Sequence, residues 1–276
     1  MSIIAFWSKE EKETGQSLSQ VALTTYMAVM HNNRILNIST AFNDKTLDDC
    51  YWFESKSKGR DTLEAGIEGL IKVINSNKTS YSIVSNYSKI IYKDRLDVLA
   101  SPRTTNYEEY KELCKMYKEI IKIANNDYDY VFVDIYKDMP EEEKKVILEM
   151  ADIIVINISQ RLKVVNDLYR LRAESNFFNK NNIMINIGRY DRFSKYNMAN
   201  IARFIGEKKS KIYAIPYNTL YSADCSEGKV AEFFTKFYKI TDPEDRNAYF
   251  ISEIDRFVKA LIYRLQELQM KKNKMG

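Results

Sequence analysis

Between an apolar run and a stretch with helical periodicity lies FWSKEEKETGQSLSQ, residues 6–20. Phosphate-binding loops are built at such junctions. Glycines let backbone N–H groups turn toward the phosphates, a lysine neutralises the β/γ charge, and a Ser/Thr hydroxyl at the helix start holds Mg²⁺. Part of that set is present: Gly15 precedes Ser17 at the spacing of the last glycine and the hydroxyl residue in G-K-[ST], with Gln16 in the lysine place. Glu13, Lys12 and Glu11 fill the usual glycine and signature-lysine places. Three carboxylates, Glu10, Glu11 and Glu13, would face a triphosphate, and each repulsion grows in a partly dehydrated site. Lys9 and Lys12 compensate only if the loop bulges, and their side chains do not replace the backbone freedom of glycine. The segment therefore reads either as a chemically poor phosphate loop or as a solvated charged turn capped by Ser17.

The second chemical element is YDYVFVDIYKDMPEEE, residues 128–143. An acidic residue ending a buried strand beside the first strand is how nucleotide hydrolases hold Mg²⁺ or its water, and Asp134 fits that role. Its structural alternative is a strand-end carboxylate bonded to the following loop. Asp138 is a second, exposed candidate, better suited to capping the helix that Pro140 starts. His31 falls where the first helix should end, and a lone histidine does not furnish Ser-His or multi-His chemistry.

Positioning these residues falls to an alternation of short β-rich runs and longer helical stretches, the pattern of βαβ units. Strands are expected at 3–7, 34–39, 95–101, 128–134, 152–159, 182–188 and 211–217. Helices are expected near 17–31, 61–76, 106–126, 140–150, 161–178 and 195–205, then over GKVAEFFTKFY and from about 244 to 272. The implied fold class is α/β, a doubly wound, mostly parallel sheet flanked by helices in three layers, as one domain over 1–276. In the last helix Ile251, Ile254, Val258, Leu261, Leu265 and Leu268 form one apolar stripe. It suits packing on the sheet or a partner subunit, or a membrane surface helped by the terminal KKNKMG.

The chain of 276 residues has 8 Gly and 4 Pro and no spacer-like stretch. No apolar segment approaches the roughly 18 residues of a membrane span, and no leader is apparent, so a cytoplasmic location is expected. Cys50, Cys114 and Cys225 are odd in number and far apart, which argues against a disulfide framework or a zinc site. A net charge of +4 is not the balance of a dedicated nucleic-acid-binding domain. Basic and aromatic residues interleaved as in SKYNMANIARFIGEKKSK, 194–211, nevertheless suit either DNA or a surface amphipathic helix.

Taken in order, these pieces resemble the ParA/MinD superfamily of deviant P-loop ATPases, including its atypical TadZ-like pilus-localisation members. The resemblance covers nearly the whole chain: the strand–loop–helix of 3–31, LDVLASPR (96–103), YDYVFVD, ADIIVINIS, NIMINIG and IPYNTLYSADCSEGKVAEFF. It implies ATP and Mg²⁺ as cofactors, with Asp134 and Ser17 on the metal side and Lys12, Gly15, Gln16 and Ser17 in the phosphate loop. It further implies Asn186 as a base-contacting residue, Pro216 and Tyr217 as the adenine-edge segment, and a homodimer. Where the family has K-G-G-x-G-K-[ST], this chain has Glu11, Lys12, Glu13, Thr14, Gly15, Gln16 and Ser17. Ser39 and Ala41 stand where the family carries water-placing aspartates, with Asp44 nearby. Loss of a phosphate lysine and a water-orienting carboxylate removes charge stabilisation on which phosphoryl transfer depends, so nucleotide held weakly or not at all and weak or absent hydrolysis are expected. The first expectation is a degenerate positioning, partition or assembly protein acting on a protein, DNA or membrane-borne partner. A working ATPase of DNA partition using Lys9 or Lys12 stands beside it, as does a nucleotide-free scaffold or a Rossmann-like enzyme. The last lacks a G-x-G-x-x-G turn.

Overall fold

The computed structural model describes residues 2–10, 13–52, 66–76, 82–180 and 182–275. Apolar β-branched runs form the strands: β1 (Ser2–Trp7), β2 (Ile35–Ser39), β3 (Lys89–Tyr92), β4 (Leu96–Leu99), β5 (Tyr130–Asp134), β6 (Ile153–Ile158), β7 (Ile183–Tyr190) and β8 (Ile212–Pro216). Among the described residues they make one sheet in the order β3-β4-β2-β5-β1-β6-β7-β8, parallel except for β3 against β4. Their near-continuous apolar sequence reflects burial on both faces. Ile3 and Ala5 point into one core cluster, whereas Ile4 and Phe6 point into the other.

One helical layer contains α1 (Gln16–Met30), α2 (Thr46–Asp49), α10 (Thr219–Ser226), α11 (Val230–Phe237) and α12 (Arg246–Met275). The other contains α3 (Ile67–Asn75), α4 (Ile83–Tyr87), α5 (Tyr107–Cys114), α6 (Tyr117–Asp127), α7 (Glu141–Met150), α8 (Leu162–Glu174) and α9 (Met198–Phe204). The doubly wound, mostly parallel architecture expected from the sequence is the one observed.

Several boundaries differ. The single helix expected over 106–126 is two, because the chain tightens at Met116, whose N–H donates to the Leu113 carbonyl at 3.0 Å. That tightening lies between two buried tyrosines, Tyr110 and Tyr117, whose hydroxyls donate to the Thr40 and Ser39 carbonyls at the end of β2 at 2.5 and 2.8 Å. The stretch expected helical to 178 leaves α-geometry after Glu174 and makes a 3₁₀ turn over Asn176–Asn179. Residues 61–65 of the expected 61–76 helix lie outside the described residues. Strand β3 was not foreseen: it is four residues long, carries an exposed Ile90, and returns through Asp94 at φ 60 without a glycine. Short, lysine-bearing strands are how sheets blunt their edges.

The stripe of α12 is settled by packing. Ile251, Ile254, Val258, Leu261 and Leu265 are buried, Leu268 packs on the same cluster, and the helix lies on β8, α1 and α11. Lys272 pairs with Asp152 at 2.6 Å, fixing the far end. This face is used inside the molecule, which removes the reason for reading the stripe as a membrane-lying surface. Among the described residues no helix is long and apolar enough to cross a membrane. In α9, Ile201 and Ala202 are buried, as in an amphipathic surface helix. The three cysteines are buried and free.

Candidate functional site

Strand β1 lies between β5 and β6; the chain fills the sheet on the β5 side first and then crosses to β6 on the other, and such switch points form crevices at the carboxyl ends of strands. The loop 8–15 leaves β1 at this crevice, and β5 ends beside it with Asp134 paired to Phe6. Helix α1 starts at Gln16 with Gly15 in the left-handed region, φ 62 and ψ 29, and has no side-chain cap. Ser17 is therefore not the cap that the turn reading assigned to it. Its hydroxyl donates to Asp134 Oδ2 at 2.6 Å. Gln16 turns inward: Nε2 lies 2.6 Å from Asp134 Oδ1, 2.8 Å from the Ile135 carbonyl and 3.2 Å from the Phe6 carbonyl.

Asp134 is fully buried beneath these two residues. Burial pushes its carboxyl up to about 6, against the lowering effect of the hydrogen bonds from Ser17 and Gln16. Ser17 and Asp134 are the right donor pair for Mg²⁺ and its water, and they stand together. Both carboxylate oxygens are nevertheless occupied by the chain's own donors, so a cation reaches Asp134 only if Gln16 or Ser17 turns away.

Above Gln16 and Ser17 lies a cavity of about 230 Å³, bordered by the loop, Asp44, Thr46, Ile135–Lys137 and Arg189. That is below the roughly 300–1,000 Å³ common for small-molecule sites. Asp44 accepts from the Thr46 N–H at 2.8 Å and the Tyr136 hydroxyl at 2.5 Å. Burial acts to raise its carboxyl, but these bonds outweigh it and leave Asp44 below the ordinary range. Ser39 and Ala41 are buried instead, so Asp44 is the β2-side carboxylate that borders the cavity. Asp138 does not cap α7, whose N-terminal flank is Pro140 without a side-chain bond.

The loop carboxylates are paired within the chain. Arg161, just before α8, bonds Glu10 and lies 3.0 Å from Glu13, and Ser159 donates to Glu10 at 3.0 Å. Glu13 stands in a glycine place of the loop pattern and still takes a positive φ of 70. A non-glycine residue there costs about 1–2 kcal/mol, and its tie to Arg161 helps hold it. Arg161 is half-exposed, so Arg161→Ala is expected to cost about 1 kcal/mol or less in global stability. The same change should accelerate amide exchange at 13–20, read by hydrogen–deuterium exchange.

Strand β7 closes the other side. A side chain on Gly188 would begin 1.9 Å from the Thr14 carbonyl oxygen, so the loop rests directly on this glycine. Asn186 is fully buried and donates to Asn157 Oδ1 at 2.8 Å, and its own Oδ1 has no partner among the described residues. It does not line the cavity around Gly15–Leu18. Pro216 ends β8 and is buried, while the Tyr217 ring is exposed and its N–H donates to the Tyr190 carbonyl at 2.9 Å. The structure thus brings Gly15, Gln16, Ser17 and Asp134 together and leaves Asn186, Pro216 and Tyr217 outside their cavity. Lys12 lies outside the described residues. Lys9 is exposed and borders neighbouring cavities on the α7–α8 side. Arg161 and Arg189 were missed by the sequence reading; the usable signal was the pair of glutamates in the loop, which required a cationic partner.

No family model matches the chain, and no curated protein sequence matches it. Solved structures do. A ParA family ATPase from Chlorobium tepidum superposes with a TM-score of 0.67 at 19% identity, over 92% of this chain and 96% of that one. The cell division ATPase MinD of Pyrococcus furiosus gives 0.65 at 14% identity, over 94% and 99%. A putative plasmid partition protein of Borrelia burgdorferi bound to AMPPNP gives 0.61 at 18% identity, over 98% and 99%. Likeness of this extent at such identities is a likeness of fold, and the chain has the fold of the ParA and MinD ATPases.

Proposed function

We propose that the chain is a degenerate ParA/MinD-like protein that positions, partitions or assembles a cellular or plasmid-borne complex in the cytoplasm. It acts as one unit and as a homodimer, with ATP hydrolysis weak or lost. The observation that carries this reading is the Gln16 amide, bonded to Asp134 and to the Phe6 and Ile135 carbonyls where a P-loop lysine would face phosphate. With that amide turned into the sheet and Glu10 and Glu13 held by Arg161, the loop is closed by bonds within the chain. Ser17 and Asp134 would hold Mg²⁺ if nucleotide entered. The bound metal would supply charge neutralisation at the phosphates, and the chain offers no lysine at position 16 to add to it.

The competing reading, an active partition ATPase, is weakened at Lys9, which does not border the loop cavity. Steady-state phosphate release and sedimentation velocity, each with and without Mg-ATP, separate the two. We expect turnover equal to that of Asp134→Ala and a dimer fraction independent of nucleotide. Asp134-dependent turnover with ATP-driven dimerisation would establish the active ATPase instead.

A further inference from the structure

Around the loop cavity most charged and polar side chains already have partners. Glu10 and Glu13 are engaged by Arg161, Asp44 by Thr46 and Tyr136, and Gln16 by Asp134. Arg189 borders the same cavity and makes no ion pair or side-chain hydrogen bond among the described residues. Its backbone takes φ 49, a conformation that L side chains rarely adopt. The β7–β8 register also breaks between Ile187 and Tyr190, so Arg189 leaves the ladder at the strand end. Irregularities of this kind re-aim side chains beside sites. Here Arg189 Cγ lies 3.2 Å from where a side chain on Gly15 would begin, a close approach beside a glycine that itself takes φ 62.

We propose that Arg189 has taken over the phosphate contact of the missing loop lysine, with its guanidinium binding the phosphate oxygens of a nucleoside triphosphate or a free polyphosphate at the Gly15–Leu18 side of the cavity. The inference rests on reading the loop as a nucleotide site. A guanidinium presents a planar fork of donors that matches phosphate oxygens in pairs, which lysine does not. Placing the charge on β7 rather than on residue 16 lets Gln16 remain bonded to Asp134 while an anion is held outside.

The test is calorimetric titration of the full chain with a non-hydrolysable ATP analogue and, separately, with inorganic triphosphate, in Mg²⁺ buffer. Wild type, Arg189→Ala and Arg189→Lys are compared after circular dichroism has established that each is folded. Wild type should bind both ligands. Arg189→Ala should weaken both about tenfold or more, the scale of a lost charge-assisted hydrogen bond, and Arg189→Lys should fall between. Equal binding by Arg189→Ala, weakening for the nucleotide alone, or no wild-type binding to either ligand at millimolar concentration would each overturn the assignment. Asp134-dependent hydrolysis would instead sink the proposed function and leave the Arg189 contact standing, so the two failures are distinguishable.

Discussion

Replacing Gly188 with alanine should displace the first loop and destabilise the fold by roughly 3 kcal/mol, the upper part of the range for overpacking a filled interior. The obstacle is backbone: the added carbon would lie 1.9 Å from the Thr14 carbonyl oxygen and 2.9 Å from its carbon, so no side-chain rotation relieves the clash. Either β7 or the loop must move, and the loop carries Gln16 and Ser17. The melting temperature should fall by roughly 6–12 °C on the scale of domains of this size. The near-native alternative, in which the loop lifts and the core stays, would give a smaller fall with selective loss of amide protection at 13–20. An unchanged melting temperature and unchanged exchange would mean that Thr14 does not rest on Gly188.

That contact joins residues more than 170 positions apart, and it marks where the sequence stops being legible. The interior strands could be read because burial on both faces writes itself as continuous Ile/Val runs, as in IIVINI of β6. The meeting of Ser17 with Asp134 was legible for a related reason: a strand–loop–helix beside a strand ending in aspartate has few ways to fold. Gln16 was legible as a missing lysine but not as a donor to Asp134 and two carbonyls, because the direction of a side chain is set by the floor beneath it. Glu10 and Glu13 looked only repulsive, since their partner Arg161 is some 150 residues away. Arg189 carried no motif at all, and a break in strand register is what turns it toward the cavity. Asn186 was legible as an asparagine near a strand end, but not as a donor to Asn157 on the neighbouring strand, because that pairing depends on the register of β6 and β7.

A second large effect is expected with pH at Asp48, on α2 near the cavity wall. Its Oδ2 accepts from the Ser101 N–H at 2.9 Å, and its Oδ1 is buried with no hydrogen-bond partner among the described residues. Burial pushes the carboxyl up to about 7, only partly offset by the Ser101 bonds, with Asp49 adding to the rise and Lys45 opposing it. Between the ordinary value of 3.8 and about 7 the folded chain keeps a proton that the unfolded chain has released. Stability from this group is therefore complete below pH 3.8, is lost as pH rises through about 7, and stays lost above it. At about 1.4 kcal/mol for each tenfold change in proton affinity, the loss is bounded near 4 kcal/mol. Asp48→Asn keeps an acceptor for Ser101 and removes the charge. Denaturant unfolding at pH 5 and pH 8 should show wild type losing stability relative to Asp48→Asn at the higher pH. A difference between the two proteins that does not change with pH would contradict the assignment.

The first loop is tied down by the chain's own bonds, through Gln16, Ser17 and Asp134 below and Arg161 above. Hydrogen–deuterium exchange over residues 13–20, with and without Mg-ATP, reads whether those bonds hold the loop. Slow exchange without nucleotide and little change on adding Mg-ATP are expected. Fast exchange in the free chain that becomes slow only with Mg-ATP would contradict this, since the loop would then take its order from the ligand.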